Sequence, residues 1–174
     1  DELIFDGGSV AVDKSGKVIA QNVRFDEDLN VVDLNEMKGA ERELASDEQE
    51  IVRSALVLGL RDFLKKCGFE KVHLGLSGGI DSALVACLAA DAVGPANVTA
   101  IMLPGPFTSP DSVKWSVNLA KNLGIELKEI SIVPAYERAL ADFEDELGHK
   151  EFGLTNENLQ ARLRGLMLMA FSNR

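Results

Sequence analysis

The 174-residue sequence is short of the residue types that mark several common functions. Its two cysteines, Cys67 and Cys87, are too few for a disulfide framework and stand in no C-x-x-C spacing, so they read as free thiols. His73 and His149 are the two histidines, and neither has a Cys or Glu at a zinc-ligand spacing. No apolar run approaches the roughly 20 residues of a bilayer-spanning helix, and the acidic start lacks the basic-then-apolar order of a signal peptide. The expectation is a cytoplasmic chain with no membrane partner. Basic residues are also scarce, 18 Lys and Arg against 28 Asp and Glu, which leaves no clustered positive footprint for nucleic acid.

What is present fits a globular chain of one to one and a half domains: 46% hydrophobic and 26% charged residues, which excludes disorder, collagen and coiled coil. The net charge of −10 is unevenly spread. Residues 1–50 hold 14 acidic and 5 basic side chains, against 14 and 13 in residues 51–174, which marks a boundary near residue 46.

Before that boundary the pattern is β. Residues 3–5, 9–12, 17–20 and 29–34 read as strands, with Asp13-Lys14-Ser15-Gly16 as a hairpin loop. A segment this small cannot bury its own core, so it reads as the trailing edge of a larger domain. Residues 35–46 are polar and weakly periodic, as in a linker. Ser46 and Gln49 have capping-box spacing and predict a helix from Ser46 to a stop at Gly68. Strand and helix then alternate: strand 72–76, helix 80–93, strand 98–103, a helix with Ser109 at its N-cap and a stop at Gly124, strand 125–132, helix 134–148 and helix 156–171. That alternation predicts right-handed βαβ units on a parallel sheet, an α/β fold.

The most informative stretch is Gly75-Leu76-Ser77-Gly78-Gly79-Ile80-Asp81-Ser82, between a strand and the start of a helix. Backbone N–H groups there lack helical partners and carry the positive end of the helix dipole, so the turn attracts anions. Gly78 and Gly79 let a phosphate approach the backbone, and Ser77 and Ser82 add hydroxyl donors. Asp81 has the wrong charge for a phosphate unless a Mg²⁺ is shared between them. The stretch has no Lys for a Walker A loop and the wrong glycine order for a dinucleotide fingerprint. It does satisfy the G-x-S-x-G nucleophile elbow, with Asp142 and His149 following in hydrolase order, so a serine hydrolase using Ser77 stays open. A nucleotide-binding module without catalysis and a bare glycine-rich turn also stay open.

Ser77-Gly78-Gly79-Ile80-Asp81-Ser82 resembles the pyrophosphate loop of the N-type ATP pyrophosphatases, which adenylate a substrate and release pyrophosphate. Together with Val72-His73-Leu74-Gly75-Leu76, Met102-Leu103-Pro104, Thr108-Ser109 and residues 155–165, it makes residues 46–174 similar to the glutamine-dependent NAD⁺ synthetases. Residues 1–34 resemble the last strands of that family's nitrilase-type glutaminase domain. The resemblance implies a three-layer, Rossmann-like PP-loop domain over residues 47–174, a linker at 35–46 and a glutaminase β segment at 1–34. It implies ATP bound by Gly75 to Ser82, Mg²⁺ held by Asp81, and deamido-NAD⁺ contacted by Asn158 and Arg162, which share a helix face. No residue of the chain is implied as a general acid or base. Ammonia would come from glutamine, and the family tends to form homo-oligomers.

On the last helix, Leu159, Leu163, Leu166, Met167 and Ala170 are expected to form the apolar stripe, and Arg164 to make either a ligand contact or a surface or inter-subunit salt bridge. Pro104-Gly105-Pro106-Phe107-Thr108-Ser109 departs from the P-S-R-Y-T-S of many relatives, which removes one arginine from the expected nucleotide contacts. The sequence also lacks the glutaminase body and the later T-T-G-N-K-S-E segment of the family, so the 174 residues alone should form no NAD⁺. A coupled assay showing turnover above background overturns that expectation.

Overall fold

The computed structural model describes residues 3–42, 44, 47–148 and 153–173. They fall into two compact units, Asp1–Cys67 and Gly68–Arg174.

In the first unit, β1 (Val10–Val12) and β2 (Val18–Gln21) form the expected antiparallel hairpin. Its turn is closed by Asp13, whose carboxylate accepts from the Ser15 amide (2.7 Å), the Ser15 hydroxyl (2.6 Å) and the Lys17 amide (3.0 Å). The Ser15 hydroxyl and these amides hold the Asp13 carboxyl below the usual carboxylate range. Two expected strands do not form. Residues 3–5 are irregular, with Phe5 84% exposed, and residues 29–34 have no ladder, with Leu29, Val31 and Leu34 exposed. Apolar content alone does not make a strand when no neighbour supplies hydrogen bonds. Around 29–34 a side chain does that work: Asn30 Nδ2 donates to Ala40 O (2.6 Å), and Ala40 N–H donates back to Asn30 Oδ1 (3.1 Å). Part of the polar 35–46 run then lies along β2, through Gly39 N–H to Ile19 O and Gln21 N–H to Ala40 O. Helix α1 (Glu48–Cys67) belongs to this unit. Asp47 occupies its cap, accepting from Gln49 N–H at 3.2 Å; the expected Ser46 cap lies outside the described residues.

The second unit carries the alternating pattern in full: β3 (Val72–Gly75), α2 (Ile80–Val93), a short 3₁₀ turn at Pro95–Asn97, β4 (Val98–Met102), α3 (Pro110–Leu123), β5 (Glu126–Glu129), α4 (Val133–Leu147) and α5 (Leu154–Ser172). The three strands form one parallel sheet in the order β3-β4-β5. Central β4 is apolar except for Thr99, and Val98, Ala100 and Ile101 are almost fully buried, as in a strand covered on both faces. The ladder outlasts β5 as named, because Ile130 N–H reaches Met102 O (2.9 Å) and Ile132 N–H reaches Pro104 O (3.0 Å). Ile101, Leu103 and Ile132 form the core cluster, and Leu163, Met167, Leu168 and Phe171 of α5 pack on it.

The buried stripe of α5 differs from expectation. Asn156 and Gln160 are buried, while Leu166 is 61% exposed and Ala170 is exposed. Asn156 Nδ2 donates to the hydroxyl of buried Tyr136 at 3.0 Å and Gln160 Nε2 to Asn156 O at 3.4 Å, so a satisfied polar pair sets the inward face. His149, the expected third member of a hydrolase triad, lies outside the described residues.

Ser109 caps α3 as expected, accepting from Ser112 N–H at 3.1 Å, and Gly124 ends the helix in the left-handed region. Ser109→Ala should therefore cost about 1 kcal/mol. It would appear as a lower urea midpoint at unchanged slope, and Ser109→Asp should restore it.

Candidate functional site

Parallel strands deliver their loops to one edge, and the turn after β3 opens there. Leu76 N–H donates to Ile101 O at 2.9 Å, and the chain then passes through Gly78 into α2. Gly78 has φ +80°, a region that side chains disfavour. A Cβ on it would also stand 2.7 Å from Ser112 Cα, on α3, and nearer still to the Ser112 carbonyl. Conformation and space both demand glycine at this position.

The serines set the shape of the turn. Ser82 Oγ donates to Gly79 O (3.0 Å) and accepts from Ser77 N–H (3.2 Å). With the Ser82 proton committed, the 3.1 Å contact between the two hydroxyls has Ser77 as donor, and Ser77 Oγ in turn accepts from Gly79 N–H at 3.2 Å. Regular helical bonding begins at Ala83 N–H to Gly79 O, so the amides of Ile80, Asp81 and Ser82 precede it and face out at the positive end of α2. This is an anion-binding geometry. It is also poor for a nucleophile, since the Ser77 proton goes to another hydroxyl and not to a base. Asp142, expected in the hydrolase reading, is instead ion-paired with Arg138 at 2.9 Å on the exposed side of α4.

A cavity of about 250 Å³ adjoins the turn. Gly75, Leu76 and Ser77 form one part of its lining, Thr108, Ser112 and Ser116 another, and Arg164 of α5 a third. Thr108 is fixed by Gly105 N–H donating to its Oγ1 (2.8 Å), and Ser116 by its Oγ donating to Ser112 O (2.9 Å). A larger groove of about 1130 Å³ lies in the first unit, lined mostly by apolar residues such as Leu3, Phe5, Leu56 and Phe63, with Asp62 and Lys66 among them.

The structure gathers Gly75, Leu76, Ser77, Gly78, Gly79, Ile80, Asp81 and Ser82 into this one turn. Asn158 and Arg162 share the exposed side of α5 and do not line the cavity; Gln160 and Arg164 turn inward instead. Thr108, Ser112, Ser116 and Arg164 are the lining residues that sequence reading did not bring to the loop. Thr108-Ser109 entered the family resemblance and Ser109 the helix cap, whereas the signal for Ser112 and Ser116 is the Ser-rich start of α3. Asp81 is exposed at the first turn of α2. No cluster of three or more His, Cys, Asp or Glu side chains that could hold a metal ion occurs among the described residues.

The parallel α/β sheet with a glycine turn at its carboxyl edge is shared with the PP-loop domains of the NAD synthetases. Residues 52–174 match the NAD synthase family, and the chain belongs to it. It is 47% identical to the glutamine-dependent NAD⁺ synthetase of Synechocystis sp., an alignment covering 100% of the chain and 32% of that protein. It superposes on the glutamine-dependent NAD⁺ synthetase of Acinetobacter baumannii, determined with ADP, with a TM-score of 0.88 at 36% identity, covering 99% of the chain and 34% of the other. The NMN synthetase of Francisella tularensis shares the fold over 74% of the chain and 51% of its own, with a TM-score of 0.66 at 34% identity. The chain thus spans about a third of the glutamine-dependent relatives it matches.

Gly78→Ala should strain the turn and push it off Ser112, costing on the order of 1–3 kcal/mol. It should lower the melting temperature, whereas Gly79→Ala, whose Cβ would meet only Ser77 Oγ at 3.3 Å, should cost less.

Proposed function

We propose that the chain is the ATP-using portion of a glutamine-dependent NAD⁺ synthetase. Two observations support this. Relatives of that name align with the whole chain, and the turn that lines a cavity of about 250 Å³ with Gly75, Leu76 and Ser77 leads directly into the first-turn amides of Ile80 to Ser82, which precede regular helical bonding. The open turn carries the reading. In this assignment residues 1–34 are the last β segment of a nitrilase-like glutaminase domain, 35–46 a linker and 47–174 the first part of the synthetase domain.

The reaction is amidation of deamido-NAD⁺. The nicotinate carboxylate attacks the α-phosphorus of ATP, the bond to the β-phosphate oxygen breaks, and pyrophosphate leaves. Ammonia drawn from glutamine then displaces AMP from the acyl-adenylate to give NAD⁺. Adenylation is required because a carboxylate is a poor acyl donor to an amine. The chain's own share is positioning and charge stabilisation. Gly75, Leu76, Ser77, Gly78, Gly79, Ile80 and Ser82 form the cradle for the departing phosphates, with the first-turn amides as donors. Asp81 would hold Mg²⁺, which supplies charge neutralisation on the phosphate oxygens. Asn158 and Arg162 would contact deamido-NAD⁺, the guanidinium suiting a phosphate or carboxylate of the dinucleotide. No side chain is assigned as a general base. A cytoplasmic homo-oligomer is part of the same reading; no described helix is long and apolar enough to cross a membrane.

The test is exchange of labelled pyrophosphate into ATP by the intact protein that carries this chain. Exchange should require deamido-NAD⁺, with nicotinate mononucleotide a poor substitute, and Asp81→Ala should slow it by about 100-fold or more. Exchange undiminished in Asp81→Ala removes Asp81 from the site. Fluorophosphonate labelling of Ser77 without any exchange would restore the hydrolase reading.

A further inference from the structure

Among the described residues, Arg164 carries the one charged side chain in the lining of the cavity beside the glycine turn. It is half-buried, and its Nε donates to Leu103 O at 3.1 Å. No carboxylate pairs with it among the described residues. Guanidinium has five N–H donors, so four remain once Leu103 is served. Room for the group is made at Gly105, where a Cβ would come within 3.1 Å of Arg164 Nη2 and 2.9 Å of Gln160 Oε1. The neighbouring loop, Pro104-Gly105-Pro106-Phe107-Thr108, carries no charge of its own.

A partly buried cation whose one partner among the described residues is a neutral carbonyl is under-compensated there, since buried charges are ordinarily paired. Ser77 in the cavity wall stands three residues before the start of α2. One guanidinium and no carboxylate in the described lining, beside the hydroxyls of Ser77, Thr108, Ser112 and Ser116 and the apolar Ile101, Met102 and Val113, favour an anion at the Arg164 end. At about 250 Å³ the cavity is smaller than the roughly 300–1,000 Å³ of drug-sized ligand sites, so it accepts phosphate groups and not a whole dinucleotide.

We propose that Arg164 binds the phosphate chain of the nucleotide from the α5 side of the cavity, facing the same phosphates that the glycine turn holds by its amides. The assignment rests on the proposed function above and adds to it a cation that belongs to the chain itself. Fork geometry suits two phosphate oxygens at once, and the charge that grows on the departing pyrophosphate is stabilised by a group already fixed on Leu103. The bond to Leu103 also ties α5 to the end of β4, so the same residue orients the helix and receives the ligand.

Two measurements test this. In the first, the unmodified protein is treated with an arginine-selective dicarbonyl with and without saturating pyrophosphate and Mg²⁺, and the adducts are mapped by mass spectrometry. Pyrophosphate should protect Arg164 and leave exposed Arg138 unprotected; equal modification of Arg164 in both conditions overturns the proposal. This arm does not depend on any variant folding. In the second, calorimetry compares ATP, pyrophosphate and adenosine binding to the unmodified protein and to Arg164→Gln. ATP and pyrophosphate should weaken by about 10- to 100-fold and adenosine should not change, a split that a purely structural role would not produce. Equal ATP affinity in both proteins sinks the Arg164 assignment and leaves the functional reading standing. If the unmodified protein binds neither ATP nor pyrophosphate, the functional reading itself fails.

Discussion

The approach of Gly78 to the backbone of Ser112 is the contact on which the site depends. It brings the turn after β3 against the first turns of α3, at a distance no residue with a side chain could reach. Because Gly78 also adopts positive φ, the turn can present its remaining amides outward while the two serine hydroxyls close its interior. The second wall of the cavity, with Ser112 and Ser116, is thereby fixed against the first.

The elements that sequence reading placed well are those whose ends carry their own chemistry. Helix α2 begins after Gly79 and ends at Gly94, and α3 runs from the Ser109-Pro110 start to Gly124, because caps and left-handed glycines mark those boundaries locally. The eight-residue turn was legible for the same reason, as glycines and hydroxyls at a helix start have few other uses. Residues 3–5 and 29–34 were misread because apolar content says nothing of hydrogen-bond partners, and near Ala40 the partner proved to be the side chain of Asn30.

The last helix was harder to read for a different reason. Counting apolar residues places Leu166 and Ala170 on the inner stripe, yet the inward face runs through Asn156, Gln160, Leu163, Arg164, Met167 and Phe171. Buried amides at two of these positions shift the apparent register. Their burial is tolerable because the Tyr136 hydroxyl and the helix backbone satisfy them, and both partners come from packing that the local pattern does not encode. Arg164 follows from that shift: once the amides turn inward, the residue four positions beyond Gln160 must turn with them.

Charge magnitudes then decide what the site can hold. A helix end carries about half a unit of positive charge, so Asp81, with a full negative charge in the first turn of α2, outweighs the dipole it sits on. At an effective dielectric near 20, a unit charge about 5 Å from a phosphate oxygen contributes roughly 3 kcal/mol, twice what the dipole returns at the same distance. Amides alone would therefore leave a polyphosphate repelled in a chain of net charge −10. A divalent cation on Asp81 reverses the sign of that contribution, and a guanidinium in the adjoining cavity acts in the same direction. In the proposed function the phosphates of the nucleotide would therefore be held with their metal ion, and the carboxylate at the helix start would select for that pair.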